Sequence, residues 1–348
     1  MVELLLRNAD DPFHFQIDKE QRPMNALLRP LLACTALLFT IAVSPHALAQ
    51  SYPSKPIRIV VPYQAGDLSD VIARLIGQKV SEQVGQPVIV DNRPGASGIV
   101  GLQVALQAEP DGYTFVLGQM GSMAVSPNLN KPNFDIRADF IPVAAMFSND
   151  LMLVSNLDFG PKTLPELVAY SKANPGKVRL ATNGEGGFPH LSMELLKDRT
   201  GMDFLHIPYK GNAQIPADVM GGRIELTILG FTSLLQNVKA GKMKPIAMTG
   251  KKRSPTAPDI PAFNETVSGY EALGWFGLFA RKGTPQDVVT RINTAVNNAL
   301  KMPDIMQKSE SLGLDISMGS PQYFEAIWAQ DFAKWGDLIR KLGLDKQK

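Results

Sequence analysis

From residue 57 onward the chain alternates short β-branched runs with amphipathic helical patterns. This restricts it to an α/β architecture in which a parallel or mixed sheet carries helices on both faces. Strand patterns fall at 57–61, 88–91, 114–117, 152–154, 179–181, 204–207, 226–229 and 245–248. Helical spacing predicts helices over 70–84, 99–107, 164–174, 191–200, 214–220 and 233–239. A further strand pattern at 273–280 precedes Thr284, placed to cap a helix that Pro285 opens and that runs to Met302. The last pattern is an amphipathic helix over 321–342, whose Phe324, Trp328, Phe332 and Trp335 form a core-facing stripe.

The first strand-to-helix junction carries the clearest chemistry. Residues 57–61 suit a buried parallel strand, Gly66 allows a tight turn, and Val71, Ile72, Leu75, Ile76, Val80 and Val84 recur at helical spacing from Asp70. A helix start delivered at a strand end presents unpaired backbone N–H groups and the positive end of the helix dipole, which favour a carboxylate or phosphate.

The N-terminal region reads as an export signal. Arg29 precedes the apolar stretch 30–43, and an A-x-A pattern ending at Ala49 predicts cleavage before Gln50, so the protein is expected outside the cytoplasm. Residues 1–23 carry five acidic side chains, wrong for the start of a signal, so Met24 is the expected initiator. The apolar core is shorter than the roughly 20 residues a membrane span needs, and no later segment approaches that length, so the processed chain is expected to be soluble. Cys34 is the only cysteine and falls inside the signal, which leaves no disulfide or thiolate site after processing. Taking the four basic and five acidic residues of 1–49 from 35 and 33 leaves 31 and 28. Such a balance gives no footprint for nucleic acid.

A series of motifs then makes the chain resemble the periplasmic solute-binding receptors of tripartite tricarboxylate transporters, also called the Bug family. These are Tyr52-Pro-Ser-Lys-Pro-Ile-Arg58, Pro62-Tyr-Gln-Ala-Gly66 with Asp70, Asp91-Asn-Arg-Pro-Gly-Ala-Ser-Gly98 and Pro110-Asp-Gly-Tyr-Thr114. Ala173-Asn-Pro-Gly-Lys177, Asn183-Gly-Glu-Gly186 with His190, Ile207-Pro-Tyr-Lys-Gly211, Lys252-Arg-Ser-Pro255, Trp275-Phe-Gly-Leu-Phe-Ala280 and Gly283-Thr-Pro285 follow in order. The resemblance implies a two-lobed clamshell of type II-like topology, each lobe a mostly parallel sheet flanked by helices. Lobe one is expected over residues 50–150 plus 272–348 and lobe two over 151–271.

It also implies a monomer that binds a small carboxylate, di- or tricarboxylic or aromatic, between the lobes and hands it to membrane permease subunits. No cofactor is implied. By the same resemblance, the loop carrying Tyr63, Gln64, Ala65, Gly66, Asp67 and Asp70 holds one carboxylate through backbone amides. A second cradle of the same kind carries Thr182, Asn183, Gly184, Gly186, Gly187 and His190. Gln119 to Ser122, Tyr209, Lys210 and Gly211, and Gly230 to Ser233 follow strands in the same way and supply the remaining walls.

Two positions depart from the family pattern. Asp67 stands where the family has a second glycine; it reads either as an N-cap with Asp70 as its capping-box partner, or as a cleft-facing acid that selects ligands with an amino, amide or hydroxyl group. Gly187 stands where the family commonly has serine, and Phe188 beside it makes the pocket more apolar.

Two other classes fit less well. A periplasmic sensor feeding a signalling receptor would share the same cleft. An enzyme would need an activated nucleophile, an acid/base pair or a metal, and after processing only His190 and His206 remain, on separate loops without ligand spacing. His190 reads as a contact to ligand or to backbone, and His206 as a hydrogen-bonded core histidine. No Gly-x-Ser-x-Gly elbow and no complete dinucleotide fingerprint occurs.

Overall fold

The computed structural model describes residues 52–254 and 257–345, so the expected export signal and initiator lie outside the described residues. The first sheet is built from β1 (Ile57–Val61), β2 (Val88–Asn92), β3 (Thr114–Gln119) and β4 (Phe140–Asn149). Between these strands run α1 (Leu68–Val84), α2 (Ile99–Leu106), a turn of π-helix at Gly121–Val125, α3 (Ser126–Asn130) and α4 (Ile136–Asp139). The chain then enters a second sheet through a single residue, Asp150. That sheet contains β5 (Leu151–Ser155), β6 (Arg179–Thr182), β7 (Leu205–Pro208), β8 (Leu226–Gly230) and β9 (Lys244–Met248). Its helices are α5 (Leu164–Ala173), α6 (Phe188–Thr200), α7 (Ile215–Met220) and α8 (Phe231–Lys239), and α9 (Phe263–Thr266) follows. The chain returns to the first sheet with β10 (Gly274–Arg281), α10 (Gln286–Leu300), α11 (Pro303–Ser311), β11 (Asp315–Ile316) and α12 (Pro321–Lys341).

Strand order is β11-β4-β10-β3-β1-β2 in the first sheet and β7-β6-β8-β5-β9 in the second. β1 pairs in parallel with β2 and β3, and β6 with β7 and β8. β5 is antiparallel to both its neighbours, β10 to both of its own, and β11 to β4. Both sheets are therefore mixed, and their core residues are β-branched and aliphatic side chains such as Ile59, Val60, Val116, Leu153 and Ile228.

Several elements differ from expectation. β4 carries Pro142, two alanines and Met146, a poor strand pattern, and becomes a strand because β10 pairs along its length with two register shifts. α10 does not begin as expected: Pro285 is its N-cap, and the Thr284 hydroxyl donates to the Arg281 carbonyl 2.8 Å away instead of accepting from the helix. α1 and α6 start earlier than their apolar periodicity, at the capping residues Asp67 and Gly187.

Asp150 is 5% exposed. Its carbonyl accepts from the Phe231 amide at 3.1 Å, and its carboxylate lies so close to Gly250 that a Cβ there would stand 2.6 Å from Oδ1. Thr249 ties the two crossings together: its Oγ1 accepts from the Leu151 amide at 2.9 Å and its carbonyl from the Ala272 amide at 3.2 Å.

Candidate functional site

The loop between β6 and α6 is held from behind by side chains. The Gly186 amide donates to His190 Nδ1 at 3.0 Å, which leaves the ring proton on Nε2, facing Glu194 at 3.5 Å. The Thr182 hydroxyl donates to the Gly184 carbonyl at 3.1 Å and meets His206 Nε2 at 2.7 Å. The two imidazoles stack with centroids 3.9 Å apart. Burial, reinforced by the neighbouring His190 ring and opposed by Glu194, pushes the His206 pKa down to about 4, so this ring stays neutral at physiological pH. Both histidines thus serve the loop backbone. His206 is half-buried and hydrogen-bonded, on the edge strand β7.

In front of these supports the loop turns through Gly186, whose φ of +70° is disfavoured for other residues; a Cβ there would also lie 3.0 Å from Leu129. α6 starts at Phe188 behind the N-cap Gly187 with no side-chain cap; Pro189 supplies no N–H, so the free donors at this end are the amides of Gly187 and Phe188. Facing them is the end of β3. The Ser122 hydroxyl donates to the Gln119 carbonyl at 3.2 Å, and burial raises the Tyr63 pKa above the usual tyrosine value, opposed by Gln119 and Ser122.

These walls enclose a cavity of about 490 Å³. Of the expected residues, Tyr63, Gln119, Asn183, Gly184, Gly186 and Gly187 line it. Tyr63 also lines an adjoining cavity of about 450 Å³, with Gln64, Ala65 and Asp67 and the 94–98 turn; Ser97 is common to both. The remaining expected residues line neither cavity. Ser122, Thr182 and His190 are buried behind the walls. The Tyr209 hydroxyl donates to Asp218 at 2.7 Å, Lys210 and Gly211 are exposed, and Gly66 is exposed at the turn.

Asp67 caps α1, its Oδ1 accepting from the Ser69 amide at 2.9 Å. The capping-box expectation for Asp70 is corrected in detail: its Oδ2 accepts from the Gly66 amide at 2.9 Å, one residue earlier than the cap itself. Burial acts to raise the Asp70 pKa, but hydrogen bonds from Arg74, Gly66 and Asn92 outweigh it and hold the carboxyl below its ordinary range.

Sequence reasoning missed the wall made by Ser126, Leu129 and Asn130 of α3, and the residues where the chain crosses between sheets, Asn149, Gly274 and Trp275. It named Phe188, which lines the cavity and packs edge-on against Trp335 at 5.9 Å. Among the described residues no group of three or more His, Cys, Asp or Glu is arranged to hold a metal ion, and no helix is long and apolar enough to cross a membrane.

Two helix-flanked sheets joined by adjacent crossings, with an amide-lined cavity where their strand ends meet, define a solute-binding receptor of the periplasmic type. The chain belongs to the tripartite tricarboxylate transporter receptor family, TctC, whose family model matches residues 72–344. A protein of Pseudomonas sp. strain P51, described as a UPF0065 protein in the tcbD-tcbE intergenic region, is 33% identical over 313 residues, covering 89% of this chain and 93% of the relative. The structure of Rpa4515 of R. palustris with adipate is 31% identical, with TM-score 0.70 over 84% of this chain and 98% of its own. MatC of Rhodopseudomonas palustris with bound malate is 27% identical, with TM-score 0.67 over 83% of this chain and 100% of its own.

Proposed function

We infer that the chain is exported through the signal at residues 1–49, cleaved after Ala49, and works in the periplasm as a monomeric receptor. It captures a small carboxylate between a lobe of residues 50–150 plus 272–348 and a lobe of residues 151–271, and delivers it to the permease subunits of a tripartite carrier. The observation that carries this reading is the uncapped start of α6 lining the cavity opposite Gln119 and Tyr63, with no side chain competing for its amides. The adipate and malate in the related structures support a carboxylate as the ligand class. Receptor work without chemistry is supported by the two histidines, which are engaged with the loop and with each other.

The test is a melting-temperature screen of the chain, stripped of carried-over ligand by unfolding and refolding, against mono-, di- and tricarboxylates and amino acids. Binding to the folded state alone raises the melting temperature by mass action. A rise with any carboxylate is expected. A cooperative melt that no carboxylate moves refutes the receptor assignment.

A further inference from the structure

The cavity and its neighbour contain two charged side chains, and both are acids. Glu185 is the single ionisable acid or base other than Tyr63 among the residues lining the larger space, and Asp67 holds the same position in the smaller one. No lysine, arginine or histidine lines either. The Asp67 carboxylate is committed to the α1 cap, whereas Glu185 makes no hydrogen bond or ion pair among the described residues and sits in the middle of the loop, two residues before the N-cap Gly187. An acid placed beside a carboxylate cradle repels any second negative charge on the ligand and attracts a positive one. The rest of the lining divides between carboxamides, with Asn149 and Asn183 free to hydrogen-bond, and the apolar faces of Phe188, Trp275 and Phe276. An ammonium group gains a further attraction beside such rings.

Building on the receptor assignment, we propose that this chain selects a zwitterion, a carboxylate that also bears an ammonium group on a largely apolar body, with Glu185 as the residue that recognises the ammonium. The ligand's carboxylate lies on the amides at the start of α6. Its ammonium reaches back to Glu185, and its carbon skeleton lies against Phe188 and Trp275.

Isothermal titration at pH 7.5 on ligand-stripped protein tests this with two matched pairs, 5-aminopentanoate against glutarate and phenylalanine against benzylmalonate. Within each pair one ligand carries an ammonium where the other carries a second carboxylate. In the parent chain, the ammonium-bearing member of at least one pair is expected to bind at least tenfold tighter than its partner, a difference of about 1.4 kcal/mol. E185Q, an exposed substitution that leaves the loop glycines intact, is expected to remove most of that preference while leaving dicarboxylate binding equal or stronger. A parent chain that binds the dicarboxylates as tightly as the zwitterions overturns the proposal, as does an unchanged preference in E185Q; the receptor assignment survives both outcomes. Binding of no carboxylate of either kind overturns the receptor assignment and this proposal with it.

Discussion

Asp150 is the residue at which a perturbation has the most readable effect. It joins β4 to β5, is 5% exposed, and its Oδ1 has no hydrogen-bond partner. Burial pushes its pKa from 3.8 up to about 7, helped by the charge of Asp315 and opposed by the Gly250 amide. A carboxyl raised in the folded state binds a proton there that the unfolded chain has already released. The folded state is therefore favoured near pH 4 and loses that advantage as pH rises toward 7. At about 1.4 kcal/mol per pH unit, the whole interval amounts to a ceiling of about 4 kcal/mol at pH 8, which coupling to Asp315 and local relaxation will reduce. D150N keeps the shape and removes the ionisation. Urea unfolding should show D150N more stable than the parent by about 1 to 4 kcal/mol at pH 8, with the difference falling below about 1 kcal/mol at pH 4.5, and D315N should flatten the parent's pH slope. A D150N chain that is equally destabilised at both pH values would refute the argument, because the carboxylate would then be serving as a hydrogen-bond partner and not as a buried charge.

Three further outcomes are expected. G66V and G184V place a β-branched residue at φ values of +85° and +148°, so each should weaken carboxylate binding by at least tenfold in titration calorimetry while the chain still melts cooperatively. F188A removes a ring shared by the cavity wall and Trp335 and should cost about 2 kcal/mol in urea unfolding, with weaker binding of ligands that have an apolar body. The His206 ring should show no protonation in an NMR titration above about pH 5. A midpoint near 6.5 would mean that the ring is not buried against His190.

Strands with β-branched residues bounded by turns, such as those expected at 57–61 and 226–229, were legible because their burial on both faces is written into their composition. β4 was not legible, since Pro142, Ala144 and Ala145 disguise a strand that pairing with β10 and β11 creates. Helix starts were misplaced toward the first apolar residue because periodicity reports the buried face, whereas capping sets the boundary, as Asp67 and Gly187 show. The glycine-containing strand-to-helix junctions were visible because a strand, a turn and a helix are contiguous in the chain. Asn130, Asn149 and Trp275 were not, since their place in the cavity depends on how two sheets meet, which no local pattern encodes.

The position of β10 also governs the order in which the molecule can assemble. It lies between β3 and β4 in the first sheet yet is made after the whole of the second, so β3 and β4 have no direct pairing until residues more than a hundred positions downstream arrive. The second sheet is contiguous in sequence from β5 to β9 and closes without waiting. During synthesis the first sheet is therefore an unfinished surface with two open strand edges, and a chain truncated before Gly274 cannot complete it.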